Sequence, residues 1–266
     1  MSSNSSRTPS PTSKTPISTF IIPTPASEDH ITRYKEIRLA SLLTNPEAFG
    51  SRYGSENNGG SESALTFAQW EERVNTPGRS IFAAVPASGP SASLSPSPSP
   101  SPSPPPQQAT ISLNGVHSEP QWAGTLSLLS PAMLAGIPKG LSDPMHVAYP
   151  PEIAEAERRG DAEIWMLVGM WVRPGYRGQS VGRILIERAF EFVRQDEGIA
   201  EREGDKEKGA RKRKDKIVML RVISSNASAV RLYEKAGFRR TPIDDAELEE
   251  GQSPGQSWMS IKLFSK

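Results

Sequence analysis

The chain has no cysteine, which excludes disulfides, thiolate zinc sites and a cysteine nucleophile and fits a reducing compartment. Histidine is scarce as well: His30, His117 and His146 stand far apart with no metal-ligand spacing, so no metal is expected. The longest strongly apolar run, Ile164 to Val172, is too short for a bilayer, which needs about 20 such residues, and no membrane association is expected. Charge of one sign is also lacking. A net charge of +1 gives no global push toward nucleic acid or anionic membrane. Hydrophobic residues make up only 35% of the chain, below the usual globular level, so one moderate core is expected. The first 19 residues lack acids but carry only Arg7 and Lys14 and no apolar stretch, a poor targeting signal. The expected location is cytoplasmic, with nuclear entry left open.

What is present sorts into foldable stretches and two tracts that cannot hold a core. Residues 1–16, rich in Ser, Thr and Pro, read as a disordered tail. A single domain over 17–266 follows, carrying a Ser/Pro-rich insertion at about 86–118 and a charged insertion at about 197–216. The Ser-Pro repeat from Ser93 to Pro106 favours extended geometry. It separates two strand-like runs, Ser80 to Val85 and Gln121 to Leu128, and a long surface loop costs little closure free energy.

Before it, Thr19 to Ile22 reads as a first strand and Asp29 to Leu43 as a helix capped near Ser27, with Ile31, Tyr34, Ile37, Arg38 and Leu42 on one stripe. Phe67 to Val74 reads as a second helix. After it, Pro131 to Pro151 reads as loop and Pro151 to Gly160 as a short helix, followed by the most apolar strand, Glu163 to Val172. A turn at Arg173 to Tyr176 leads into a helix from Ser180 to Arg194. Then come a charged stretch from Glu201 to Lys216, a strand from Ile217 to Ile223, a helix from Asn226 to Ala236, a strand start at Phe238 and a final strand from Trp258 to Phe264. The order is β-α-α-β-β-β-α-β-α-β-β.

The chemistry lies at Arg177-Gly178-Gln179-Ser180-Val181-Gly182-Arg183, which joins a buried strand to a helix. Unpaired N–H groups at a helix start, with the helix dipole behind them, suit the oxygens of a pyrophosphate. Gly178 and Gly182 allow the backbone close to a ligand. This segment resembles the coenzyme-A loop of the GNAT N-acetyltransferases, in which Gln or Arg is followed by two residues, Gly, one residue, and Gly or Ala. Ser180 replaces the first glycine. A positive φ there would cost serine roughly 1 kcal/mol, whereas an ordinary helix start suits serine, and the second geometry is the expected one.

Downstream, Asn226, Ala229, Tyr233 and Gly237-Phe238 also resemble this family. Asn226 suits a helix cap and a contact to the pantetheine arm. Ala229 and Tyr233, four residues apart, share a helix face. Each alone reads as an ordinary cap or core aromatic; together with the loop they carry the resemblance. The Asn45-Pro46-Glu47-Ala48-Phe49-Gly50 segment resembles one found in many small-molecule members.

The resemblance implies an α+β GNAT acyl-CoA N-acyltransferase fold, a mixed, mostly antiparallel twisted sheet flanked by helices. It implies acetyl-CoA as co-substrate, no metal, and transfer of an acetyl group to a primary amine of a small molecule, peptide or protein. On that basis the main chain of Met170 and Val172 would bind pantetheine, the N–H near Met170 would meet the oxyanion, and Tyr233 would protonate the leaving thiolate. Glu163 is the candidate base; a solvent-facing strand-end carboxylate is the alternative. The acidic stretch Asp244 to Glu250 and the basic run Arg211 to Lys216 read first as solvated loops. Monomer and homodimer both remain open. The rival reading is an acyl-CoA sensor without transferase activity. No Gly-Lys-Ser/Thr follows the loop and no Gly-x-Ser-x-Gly elbow occurs, which sets nucleotide hydrolysis and serine hydrolase chemistry aside.

Overall fold

Period-two alternation in the apolar runs becomes, among the described residues, seven strands of one sheet, in the order β1-β2-β3-β4-β5-β7-β6. The computed structural model describes residues 16–49, 61–87, 121–136, 149–196, 214–242 and 255–263. The strands are β1 (Ile17–Ile21), β2 (Arg79–Pro86), β3 (Gly124–Leu129), β4 (Ala162–Val172), β5 (Asp215–Ile223), β6 (Arg239–Pro242) and β7 (Gln256–Leu263). All neighbours are antiparallel except β4 and β5. This mixed, mostly antiparallel sheet flanked by helices is the expected fold class.

Among the described residues six helices cover the two faces: α1 (Glu28–Thr44), α2 (Phe67–Val74), α3 (Pro131–Ala135), α4 (Pro151–Arg158), α5 (Val181–Gln195) and α6 (Ala227–Lys235). Against α5 and α6 packs the larger core, with Phe82, Leu126, Trp165, Leu185, Val218 and Met259 among its members. On the opposite face α1 and α2 close over Ile81, Ala83 and Trp171, and α3 and α4 over Ile164, Met166 and Trp258.

Ser27 caps α1 by accepting a hydrogen bond from the His30 N–H, and the expected stripe from Ile31 to Leu42 is buried. Thr66 and Gln69 close a reciprocal capping box on α2. Two readings change. The stretch from Pro131 is not all loop: Ser130 caps a short α3 with proline in its first turn, a combination favourable to helix starts. The charged stretch ends earlier than Lys216, because β5 begins at Asp215. Lys216 is buried; its ammonium donates to the carbonyls of Val193, at 2.8 Å, and of Asp196, tying β5 to the last turn of α5. Lysine there complements the helix C-terminus and its free carbonyls. The amino-terminal tail, the Ser-Pro repeat, the rest of the charged stretch and Asp244 to Glu250 lie outside the described residues.

Candidate active site

Between β4 and β5 the sheet opens. The two pair in parallel only from Ala162 with Asp215 to Met166 with Met219. Beyond that point β4 stays with β3 as far as Val172 opposite Gly124, while β5 stays with β7 as far as Ile223 opposite Gln256. The facing edges of 167–172 and 220–223 therefore share no strand pairing, an arrangement suited to an extended ligand lying between them as a strand would.

A bulge sharpens this opening. Thr125 pairs with Trp171 and Ser127 with Val168, which leaves Gly169 and Met170 together opposite Leu126. Gly169 takes φ +61°, the left-handed geometry that glycine adopts without strain in such bulges. The extra residue reverses the alternation of β4. Trp165 and Leu167 face α5 before it; Met170 and Val172 face α5 after it.

At the mouth of the gap, Pro174–Tyr176 forms a single 3-10 turn and α5 begins at Val181. Within the loop the N–H groups of Arg177 and Gln179 donate to the carbonyls of Pro174 and Tyr176, so these two are already engaged. The N–H groups of Gly178 and of Ser180 through Arg183 have no hydrogen-bond partner among the described residues. They are the donors left for a ligand, at the positive end of a 15-residue helix with no acid in its first turn.

Ser180 departs from its expected geometry. It sits in the left-handed region, φ +66° and ψ 8°, and its hydroxyl makes no capping bond. The left-handed turn here, two residues after the one at Gly178, overrides the ordinary preference of serine for an extended cap conformation.

The two glycines also play different parts. Gly178 has φ +77° with open space around it. Gly182 is buried, and a Cβ there would lie 2.8 Å from Leu232 Cδ2 and 2.9 Å from Met170 Cε. Its missing side chain lets α5 pack against α6 and β4 rather than against a ligand.

Arg177 anchors the loop. Its Nε donates to the Val172 carbonyl at 3.0 Å and its Nη2 to Asn45 Oδ1 at 2.6 Å. The same Asn45 oxygen accepts from Trp171 Nε1 at 3.1 Å. One side chain at the end of α1 thus fixes both the strand end and the loop, which gives the Asn45-to-Phe49 segment a structural purpose. With its carbonyl engaged, Val172 keeps a second lone pair for a ligand. Gln179 donates to the Gly175 carbonyl at 2.9 Å, and the exposed Arg183 side chain pairs with Glu187, leaving only its N–H turned to the site.

On α6, Asn226 caps the helix by accepting from the Ala229 N–H at 3.2 Å. Tyr233 is buried in the core facing α5, and its hydroxyl donates to Met170 Sδ at 3.8 Å, which sets the phenol beside the bulge. Burial pushes the phenol well above its ordinary pKa, so it keeps its proton at neutral pH.

Glu163 is not brought to this place. It pairs with Lys216 at the closed end of β4, seven residues from Met170, or roughly 23 Å at ~3.3 Å per residue.

A second group of polar residues lies on the other face of the bulge. Arg38 is buried and donates to both oxygens of the buried Glu62, Nε at 2.9 Å and Nη2 at 2.8 Å. Arg73 reaches the same carboxylate at 3.1 Å. The side chains of Ser127 and Arg79 lie close to the Tyr34 phenol. Burial raises the Tyr34 phenol, yet Arg79, Arg73 and Arg38 together outweigh it and the net shift is downward. An arginine inside an apolar helical stripe is the one sign of this cluster in the sequence; its partner Glu62 carries none.

Among the described residues no group of three or more His, Asp or Glu side chains is placed to hold a metal ion, and no helix is long and apolar enough to cross a membrane. The acetyltransferase (GNAT) domain family matches residues 147–240. A comparison with curated proteins finds no match. Among solved structures the chain is similar to NAA60 of Arabidopsis thaliana in complex with acetyl-CoA, at 16% identity over 93% of this chain and 99% of that one, with a TM-score of 0.47. It is similar to yncA, a putative acetyltransferase of Salmonella typhimurium with its cofactor acetyl-CoA, at 13% identity over 94% and 96%, TM-score 0.45. It is also similar to the spermidine/spermine N-acetyltransferase SpeG of Vibrio cholerae, at 12% identity over 93% and 95%, TM-score 0.44.

Proposed function

We propose, from the match of residues 147–240 to the acetyltransferase (GNAT) domain family, that the protein transfers an acetyl group from acetyl-CoA to a primary amine. The observation that carries this reading is the parting of β4 and β5 beyond Met166 and Met219, with the unpartnered N–H groups of Gly178 and Ser180 to Arg183 at its mouth. A pyrophosphate fits those donors, and a pantetheine arm fits the free edges of the strands.

Acetyl-CoA would supply an activated acetyl thioester. The chain's part is positioning and charge. Main-chain groups of Met170 and Val172 would hold the arm, and the N–H at the bulge would meet the carbonyl oxygen as it becomes negative. Asn226, beyond its capping bond, has an amide N–H₂ to offer the arm. Tyr233, kept protonated by its burial, would donate to the sulfur as the C–S bond breaks. Its present acceptor is already a sulfur, the weaker thioether of Met170.

The amine must be neutral to attack, and its ordinary pKa of ~10.4 calls for a proton acceptor or desolvation. The distance of Glu163 from the gap removes it from that role in this proposal. The same distance favours one second reading, an acyl-CoA sensor that turns nothing over. Equilibrium binding of acetyl-CoA, followed by measurement of free thiol with a panel of amines, tests both. Saturable binding with amine-dependent thiol release supports the transferase, binding without release supports the sensor, and no binding of acetyl-CoA defeats both.

A further inference from the structure

The face of the sheet opposite Tyr233 carries a cluster of arginines beside the gap. Tyr233, α5 and α6 lie on one face of the sheet, so an acceptor meeting the acetyl group from the opposite face passes α1, α2 and the bulge. Three guanidinium groups, Arg38, Arg73 and Arg79, gather there, and Glu62 is the one carboxylate seen to pair with them among the described residues. Positive charge in such surroundings is costly unless it is paired.

Each of the three also keeps a buried nitrogen with no hydrogen-bond partner: Arg38 Nη1, Arg73 Nε and Arg79 Nε. Arg38 is only 8% exposed, and two of its nitrogens are already committed to Glu62. Its third points at the bulge. Among the described residues other than its chain neighbours, a Cβ built on Gly169 would meet only Arg38 Nη1, at 3.9 Å, within 4 Å. Among the described residues there is thus room for a carbon-sized group over Gly169, beside a guanidinium nitrogen that lacks an acceptor and one residue from Met170.

We propose that the amine acceptor carries a carboxylate, and that Arg38 Nη1 binds it over Gly169 while Arg73 and Arg79 supply the surrounding positive field. A carboxylate completes the hydrogen bonding of Arg38, offsets the surplus charge of the cluster and draws acceptor toward the gap. Glu62 plays the complementary part, since its bidentate grip fixes the guanidinium so that Nη1 faces the bulge. This inference rests on the transferase reading above and narrows its substrate class from amines in general to amines bearing an acid.

The test is a panel of amino acids and dipeptides, each paired with its carboxamide, together with simple alkylamines, assayed for thiol release at saturating acetyl-CoA. The carboxylate member of a pair should exceed its amide in kcat/KM by about 10- to 100-fold, the worth of one charge-assisted hydrogen bond. In Arg38→Lys, which keeps the charge but loses the fork, that ratio should fall toward one, while a purely structural role would lower both members alike and leave the ratio intact. The wild-type ratio decides the matter even where Arg38→Lys folds poorly. Equal rates for acid and amide, or a preference for the amides or alkylamines, overturn the inference and leave the transferase reading standing. Acetyl-CoA binding without turnover of any panel member overturns both.

Discussion

Replacing Ser180 with glycine should stabilise the protein. Ser180 is the one residue other than glycine with positive φ among the described residues, at +66°, and a left-handed backbone costs such a residue about 1–2 kcal/mol. Its hydroxyl makes no capping bond that the change would remove. Against the relief stands the greater chain entropy of glycine in the unfolded state, about 0.5–1 kcal/mol. The net expectation is ~0.5–1 kcal/mol in favour of Ser180→Gly. With a urea m-value near 2 kcal/mol/M this raises the unfolding midpoint by roughly 0.3–0.5 M. Ser180→Ala is the control, since it removes the hydroxyl but keeps the Cβ and so should match the parent or fall slightly below it. Acetyl-CoA affinity, read by titration calorimetry, should hold in Ser180→Gly because the N–H group is unchanged. A glycine variant no more stable than the alanine variant would refute the backbone argument, and a large loss of affinity would show that the hydroxyl, not the N–H, serves the ligand.

Tyr233→Phe should lower turnover by about 100-fold or more while leaving acetyl-CoA affinity intact; an unchanged kcat would end the proton-donor role. Because burial raises the Tyr233 phenol in the folded state, the wild type should lose stability as pH climbs above about 10, where only the unfolded chain sheds this proton, and Tyr233→Phe should lose less in the same window when both are unfolded in urea. Gly182→Ala should change stability by less than about 1 kcal/mol, because the added Cβ meets only the ends of the flexible Leu232 and Met170 side chains and alanine favours helix; a loss above about 2 kcal/mol would show that those side chains have no room to shift. Lys216→Met should lose about 1–3 kcal/mol in urea unfolding, as two carbonyls at the end of α5 lose their donor, and a change below about 0.5 kcal/mol would show that water replaces the ammonium without penalty.

Local signals carried most of the fold. The cap at Ser27, the stripe of α1, the strand-turn-helix around Arg177 and the stop at Gly237 follow from residue spacing over a few turns, and that range is where sequence speaks clearly. What was illegible depends on partners far along the chain. No pattern in Glu163 to Val172 says that pairing with β5 ends at Met166, because that depends on where β7 and β3 hold the two strands. The left-handed turn at Ser180 and the crowding at Gly182 arise from neighbours on α6 and β4. Glu62, 24 residues from Arg38, has nothing nearby to mark it as the acid that orients a buried arginine. Lys216 shows the reverse failure: a run of charge reads as solvated, yet its last member turns inward to close a helix.

The short parallel contact between β4 and β5 makes the sheet two antiparallel panels joined along a brief seam, four strands to one side and three to the other. A molecule lodged where the panels separate would touch both, and so act as a rivet between parts that the backbone alone stitches only at one end. Occupancy should then register as slower hydrogen exchange in the paired stretches 162–166 and 215–219 at the closed end, beyond the edges that the occupant contacts.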